Sequence, residues 1–396
     1  MSARAVVRVA SATLLALAPA CENVAARGRG ALVSWAERHL VPEAEPDLAA
    51  ALAGLSDAAA GALAGAPPRA RERLSAIEGF VRQCAIECGA ERGPRAVEAF
   101  CKVLFESLTI EPVTEGGEFR LMFPDFVLRA RRGSCLGLAG LFLAASQRLG
   151  IKISGVLVPG HFLVRYDDSR ERFNVELLRR GLRREDAFYR GHFGIPPDAA
   201  EYLRSLDARE TLAVYLFNAA NALREAGGDR GTVARLYEIV LGVLPGFAEA
   251  RGNLGVLLLE SGDSARAAAE LERARAANPW LSGIHLDLCA ARCALGDLDG
   301  AEAALRSGSG PEDSDARFLH ALARLELARG REEEAVRLFS RAVELDPLFA
   351  PAHRDLAGLL SARGEGELAR FHLSEAARIE SARHGRAAGR RAIEPW

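Results

Sequence analysis

Apolar residues follow three rhythms along this chain, and each predicts a different kind of structure. In "RRGSCLGLAGLFLAASQRLG", residues 131 to 150, Leu136, Leu138, Ala139, Leu141, Phe142, Leu143 and Leu149 are too dense for a single exposed face. That density predicts a buried helix from Gly133 to about Gly150. Beyond Gly150, "ISGVLVPGHFLVRY" and "RFNVELL" alternate and are β-branched, which predicts two strands joined as a hairpin through "DDSRE". From about residue 211 a longer period takes over. Pro245, Pro279 and Pro347 are separated by 34 and then 68 residues.

Aligned at that period, Leu254, Leu288, Leu322 and Leu356 superpose, as do Ala267, Ala301, Ala335 and Ala369. A third column reads Leu271, Leu305, Phe339 and Leu373. Small residues in one column let two antiparallel helices approach, and large ones in the other fill the space between them. Each unit is therefore a helix hairpin turning at "ESGD", "ALGD", "ARGR" or "ARGE". Leu254, Gly255, Ala267, Ala274 and Pro279 in "NLGVLLLESGDSARAAAELERARAANP" resemble the tetratricopeptide repeat (TPR). The resemblance covers residues 211–382 in about five units, the first divergent and the third broken at "RSGSGPED". It implies a concave face that binds a protein or peptide, the alternative being an array that packs only on its own N-terminal domain. The lysine and asparagine clamp for a terminal carboxylate is absent, its places being taken by Gly252, Val256, Leu259, His320 and Arg324.

Composition adds bounds. At 396 residues, with 49% hydrophobic and 26% charged residues, the chain suits two or three globular domains. Its 51 basic and 53 acidic residues are spread throughout, so no footprint for nucleic acid appears. Only residues 383–396 are locally basic, and they read as a solvated tail. Near the start, Arg4 and Arg8 precede an apolar run ending at Ala18-Pro19-Ala20 before Cys21. This is the plan of a signal peptide or lipoprotein signal over residues 1–21, too short to span a bilayer. It predicts an exported protein, with lipidation of Cys21 as its only membrane attachment; the alternative is a cytoplasmic protein with a buried N-terminal helix. Cys84 and Cys88, like Cys289 and Cys293, are four apart in helical stretches and read as small buried residues. If the chain is exported, a bridge between helices through Cys84, Cys88 or Cys101 stays open. No phosphate-cradling glycine loop and no metal-spaced histidine or cysteine set occurs, so neither a cofactor nor a metal is expected.

The candidate chemistry lies between residues 131 and 176. Cys135 falls in the first turn of the predicted helix with Ser134 able to cap, and free N–H groups there stabilise a thiolate. On the first strand His161 shares a face with Leu163 and Arg165, and on the second Asn174 shares one with Glu176. A turn at Asp168-Ser169 sets Glu176 across from His161; a turn at Asp167-Asp168 sets Asn174 there instead. Either way a polar partner stands beside the imidazole. A thiol, an imidazole that takes its proton and an acid that fixes the tautomer make a nucleophilic triad. Taken singly, a cysteine in an apolar helix and a histidine in "PGHFLV" are ordinary structural residues. Arg132 and Arg165 are candidates to line an acidic substrate's path, against the ordinary reading of solvated ion pairs. His192, in "YRGHFGIPP", reads as a surface-loop residue.

"RRGSCLGLAGLFLAASQRLGIKISGVLVPGHFLVRYDD" with "RFNVELL" resembles the transglutaminase-like superfamily, in particular its bacterial subgroup fused to tetratricopeptide repeats. The resemblance is strong over residues about 95 to 190 and weaker over about 30 to 94. It implies an α+β papain/transglutaminase-like core followed by an all-α TPR solenoid: residues 30–94 as the helical N-terminal part, 95–205 as the catalytic-type core, 211–382 as the array. It places Cys135 on the nucleophile, His161 on the base and Glu176 on the acid, with Asn174 as the alternative partner. Two departures stand out: the acid is glutamate where aspartate is usual, and "LLRRGLRRED" lacks the glycine-rich polar segment expected next. The implied activity is a thiol acyl-transferase or cysteine peptidase acting on amide bonds of a polypeptide by hydrolysis, deamidation or crosslinking. The alternative is a non-catalytic scaffold or regulatory interaction module with a degenerate core.

Overall fold

The computed structural model describes residues 30–391 apart from 42–43, 115–117, 196, 198, 200, 282 and 309–314. The expected signal over residues 1–21, with Cys21, lies outside the described residues. Among the described residues no helix is long and apolar enough to cross a membrane. The chain divides after Ala250 into two compact units. The first is an α+β core and the second is all-α.

The first unit begins with α1 (30–40), α2 (Leu48–Ala64), α3 (Ala70–Cys88) and α4 (Arg95–Lys102), the last running into a π-turn at Val103–Ser107. A short parallel pair, β1 (Glu111–Pro112) with β2 (Arg132–Gly133), brackets a 3₁₀ turn at Phe119–Met122 and α5 (Pro124–Ala130). Then comes α6 (Cys135–Leu149), the apolar run of the sequence. Eleven of its residues, Leu136 through Ser146, are buried, because α2, α3 and α5 pack on it as well as the sheet. A helix apolar on all sides is stable only in such a sandwich.

The sheet is antiparallel, in the order β6 (Leu182–Arg184), β5 (Arg172–Glu176), β4 (His161–Asp167), β3 (Ile153–Val158), β7 (Ser205–Leu206). Here the structure corrects the expected hairpin. "ISGVLVPGHFLVRY" is two strands, not one, folding back at Pro159-Gly160 so that Val158 faces His161. Pro159 has no N–H to give a ladder and Gly160 takes φ +68°, so this dipeptide reverses the chain readily. The β4–β5 turn also lies one residue later than the Asp168-Ser169 turn and two later than the Asp167-Asp168 turn. Asp168 Oδ1 accepts from Arg170 N at 3.0 Å and Glu171 N at 2.8 Å, and Ser169 adopts φ +72°. Arg165 therefore pairs with Asn174, and Val164 with Val175. The ladder differs from the Glu176-to-His161 register by two residues.

After β6, α7 (Asp186–Phe193) leads toward β7, and α8 (Ala208–Glu225) and α9 (Arg230–Val243) complete the unit. Helix α8, which the sequence reading places in the first repeat, packs on α2. Its fully buried Tyr215 donates a hydrogen bond to the Leu136 carbonyl. This repeat-type hairpin thus forms part of the core's own unit.

The second unit continues through α10 (Ala248–Glu260), α11 (Ser264–Ala277), α12 (Ile284–Ala294), α13 (Leu298–Arg306), α14 (Ala316–Ala328), α15 (Glu332–Leu345), α16 (Ala350–Ala362) and α17 (Gly366–Arg391). Its hairpins turn at Gly262, Gly296, Gly330 and Gly364, all at left-handed φ between +76° and +85°. A Cβ is disfavoured at that conformation, so glycine recurs with the period of the array. Ala267, Ala301 and Ala335 are fully buried, and Leu271, Leu305 and Phe339 are at most 2% exposed. Phe339 shows why: it packs in one cluster with Leu356 and Leu360 of the next hairpin. In the last described hairpin Leu373 occupies the same column and is 50% exposed. Helix α17 extends through Arg391, so most of the expected basic tail is helical.

Candidate active site

Helix α6 opens at a tightly built corner. The Ser134 hydroxyl accepts from Gly137 N at 3.3 Å and donates to the Leu121 carbonyl at 3.1 Å, and Ser134 N binds the same carbonyl at 3.2 Å. Gly137 is required by this approach: a Cβ there would lie 2.0 Å from Leu121 O and 2.5 Å from Val127 Cγ2. The 3₁₀ turn and α5 therefore grip the first turn of α6. Cys135 is its first residue, half-buried rather than sealed in the core.

The sheet brings the other two groups to the same place. His161 begins β4 and Glu176 ends the antiparallel β5, so both lie at the same end of the sheet. The Glu176 Oε2 to His161 Nε2 distance is 2.8 Å. A two-residue change of register preserves the face of every side chain. Glu176 consequently reaches His161 along the diagonal rather than straight across. With Nε2 taken, the other ring nitrogen is left for the thiol of Cys135, which lies near enough to raise the His161 pKa.

Burial alone lowers the affinity of an imidazole for its second proton. At His161 the hydrogen bonds to Cys135 and Glu176 and the carboxylate charge outweigh burial and raise its pKa from 6.5 to about 9. The imidazolium form is thereby favoured at neutral pH. Cys84 and Cys101 lack such partners, and burial pushes both thiols up, Cys101 to about 12. Cys84, Cys88, Cys101, Cys289 and Cys293 are all free thiols in this structure, and Cys84, Cys88 and Cys289 are buried.

Three further placements correct the sequence reading. Asn174, the alternative partner, does not meet His161; its Oδ1 accepts from Arg165 Nε at 2.8 Å and its Nδ2 donates to Asp186 Oδ1 at 2.8 Å. Arg165 is 1% exposed and also binds Leu203 O and Asp186, so it lines no substrate path. Instead this buried network ties the first turn of α7 to β4 and β5. His192 lies on α7 rather than in a loop, exposed and stacked on Phe188. Arg132 is exposed on β2, three residues before Cys135.

Helix α7 carries two residues that the sequence reading missed. The buried Tyr189 hydroxyl donates to Glu176 Oε2 at 3.3 Å, and Phe193 stacks on the His161 ring at 6.3 Å. Leu178 N donates to the other carboxylate oxygen at 3.2 Å. Glu176 is thus held by three donors on both of its oxygens. The available signal was an aromatic pair four apart in "FYRGHFG", closed by a C-capping Gly194. Replacing Tyr189 with Phe is expected to cost about 1 kcal/mol, the net value of one hydrogen bond, in urea unfolding.

The arrangement is a thiol, an imidazole and an oriented carboxylate in hydrogen-bonded sequence, next to helix N-terminal N–H groups. Among the described residues no group of three or more metal-type ligands occurs.

Comparison with known proteins follows the same division. Residues 70–213 match the family model described as "Transglutaminase-like superfamily", and residues 258–325 match "Tetratricopeptide repeat". No curated protein matches the chain. Solved structures with similarity include MamA, at 18% identity over 42% of this chain and 96% of that one, with a TM-score of 0.31. MamA 41-end from Desulfovibrio magneticus RS-1 matches at 18% identity over 43% of this chain and 96% of its own, with a TM-score of 0.33. YrrB, titled a TPR protein with an unusual peptide-binding site, matches at 20% identity over 43% and 87%, with a TM-score of 0.30. The chain therefore carries a transglutaminase-like domain followed by a tetratricopeptide repeat region.

Proposed function

We propose that the first unit is a cysteine-nucleophile acyl-transfer module acting on amide bonds of a polypeptide, and that the repeats recruit the protein that carries them. The observation that carries this reading is an imidazole hydrogen-bonded to Glu176, with Cys135 at the start of α6 close enough to raise its pKa. In the reaction Cys135 Sγ attacks the amide carbonyl carbon. The carbonyl oxygen becomes an oxyanion facing the N–H groups of Cys135 and Leu136 at the start of α6, Gly137 N being taken by the Ser134 hydroxyl. His161 then gives its proton to the departing amine as the C–N bond breaks, leaving a thioester on Cys135. Water or a second amine attacks that thioester, the imidazole accepting the nucleophile's proton, and the thiol is released. Throughout, Glu176 holds the ring's orientation and balances its charge.

Hydrolysis, deamidation and crosslinking share the thioester, so the direct test is to trap it. The full chain is incubated with a mixed glutaminyl peptide library, acid-quenched and mapped by mass. The expected result is an acyl adduct on Cys135 in the wild type and none in Cys135→Ala or His161→Ala. Absence of any adduct on Cys135 sinks the reading. Export, inferred from the N-terminal run alone, is checked by the mass of the mature N-terminus.

A further inference from the structure

Two stretches distant in sequence converge beside this site, and both present arginine. Arg131 and Arg132 stand three and two residues before the α6 cap, Ser134; Arg179 and Arg180 follow Glu176 by three and four residues. Both stretches rest on the segment after α4. Arg131 Nη1 donates to the Leu108 carbonyl at 3.1 Å, and the Arg180 guanidinium lies 5.8 Å from the centre of the Phe105 ring. The turn at Leu177–Arg179 packs on β1, the strand paired with β2, and on α6 itself. The two backbone stretches that carry the four arginines therefore come together as one rim next to the start of α6.

This rim stays unpaired. Among the described residues no carboxylate pairs with any of the four, and all four are exposed. Of the nearby acids, Glu118 pairs with Arg120, Asp186 with Arg165 and Arg172, and Glu176 with His161; Glu111, across the β1–β2 ladder from Arg132, and Glu106 in the turn below offset part of the rim's charge without pairing with it. A second observation is conformational. Arg131 and Arg180 both adopt φ +55°, capping α5 and the short turn after β5. That left-handed conformation is the natural place of glycine, and a long branched-headed cation occupies it twice. Backbone held there costs energy, and Arg131 and Arg180 share it with Thr109, Ser169 and Leu203.

We propose that the Cys135 site takes an acidic polypeptide segment, whose carboxylates engage the rim of Arg131, Arg132, Arg179 and Arg180 on either side of the scissile amide. This rests on the acyl-transfer reading for the identity of the site, but the rim's charge and geometry stand apart from the thiol. Guanidinium forks match carboxylates with two parallel hydrogen bonds, so the rim orients an extended acidic chain as well as attracting it. A chain whose total charge is only −2 gains a local positive field at this one mouth.

The test uses the full chain and a fluorescein-labelled peptide, Glu-Glu-Gly-Gln-Gly-Glu-Glu, with its all-glutamine counterpart, read by fluorescence anisotropy at low salt. The acidic peptide is expected to bind at least about tenfold more tightly than the neutral one, with the preference fading at high salt. Arg131→Gly with Arg180→Gly, combined with Arg132→Gln and Arg179→Gln, is expected to weaken acidic binding roughly tenfold. Its unfolding midpoint is expected to hold or rise, since glycine relieves both left-handed positions. Equal binding of the two peptides, or acidic binding unchanged in the fourfold variant, overturns the proposal. Equal competition by a single-stranded oligonucleotide of matched charge also overturns it, in favour of a general polyanion site. Because anisotropy does not read the thiol, failure here beside a fast-alkylating Cys135 rejects only the acidic substrate. Acidic binding beside an unreactive Cys135 upholds the rim and rejects only the chemistry.

Discussion

Gly137→Ala is expected to destabilise the first unit by about 3 kcal/mol and to disorder the thiol site, although only one methyl group is added. The added Cβ would stand 2.0 Å from the Leu121 carbonyl oxygen, and backbone cannot yield as a side chain tip can. Either α6 lifts off the 3₁₀ turn, breaking the Ser134 cap, or Leu121 moves and loses both Ser134 N and Ser134 Oγ as donors. Both routes displace Cys135, the first residue of the helix. Gly191→Ala in α7 is the control, because nothing lies within 4 Å of its Cβ. There the change is expected to stabilise by roughly 0.5 to 1 kcal/mol, as alanine replaces glycine inside a helix. Urea unfolding of the two variants checks the pair.

Glu176→Gln is the second large effect. Glutamine keeps the shape and one acceptor but removes the charge that helps hold the His161 proton. Alkylation of Cys135 at pH 6 to 7 is expected to fall about 10-fold or more, and His161→Ala to lower it about 100-fold. The stability consequence has a definite sign. His161 has its folded pKa raised from 6.5 to about 9, so its contribution is fully present below 6.5 and is lost as pH rises through 9. Wild-type stability from this group is therefore expected to decline between those limits by a few kcal/mol at most, and the decline to flatten in Glu176→Gln. Denaturant unfolding at a series of pH values measures it.

Much of this was legible from residues alone. The 34-residue columns predict buried alanines, and Ala267, Ala301 and Ala335 are fully buried. The dense apolar run predicts α6, and Ser134 caps it. What the pattern misses follows from long-range geometry. Pro159-Gly160 looks like a step within a strand because both flanks alternate in phase, yet it is a turn. The β4–β5 register depends on an Asp168 side chain that folds the loop onto itself, information absent from hydrophobic alternation. Parity saves the pairing of His161 with Glu176, since a two-residue shift changes the partner but not the face. Parity is only part of the guide to Arg165: besides Asn174 across on β5, its burial is satisfied by Asp186 and Leu203, neither of which lies on an adjoining strand. Tyr189 and Phe193 reach the site from α7, a helix of eight residues whose apolar pattern is too short to read as one.

The proposed activation of Cys135 by His161 and Glu176 is read directly in the reactivity of its thiol. The most direct measurement is the rate of Cys135 carboxamidomethylation by iodoacetamide at pH 6, followed by peptide mapping, against glutathione under the same conditions. Cys135 is expected to react at least about tenfold faster than glutathione and to lose that advantage in His161→Ala. A Cys135 that reacts no faster than glutathione, with the same rate when His161 is alanine, contradicts it.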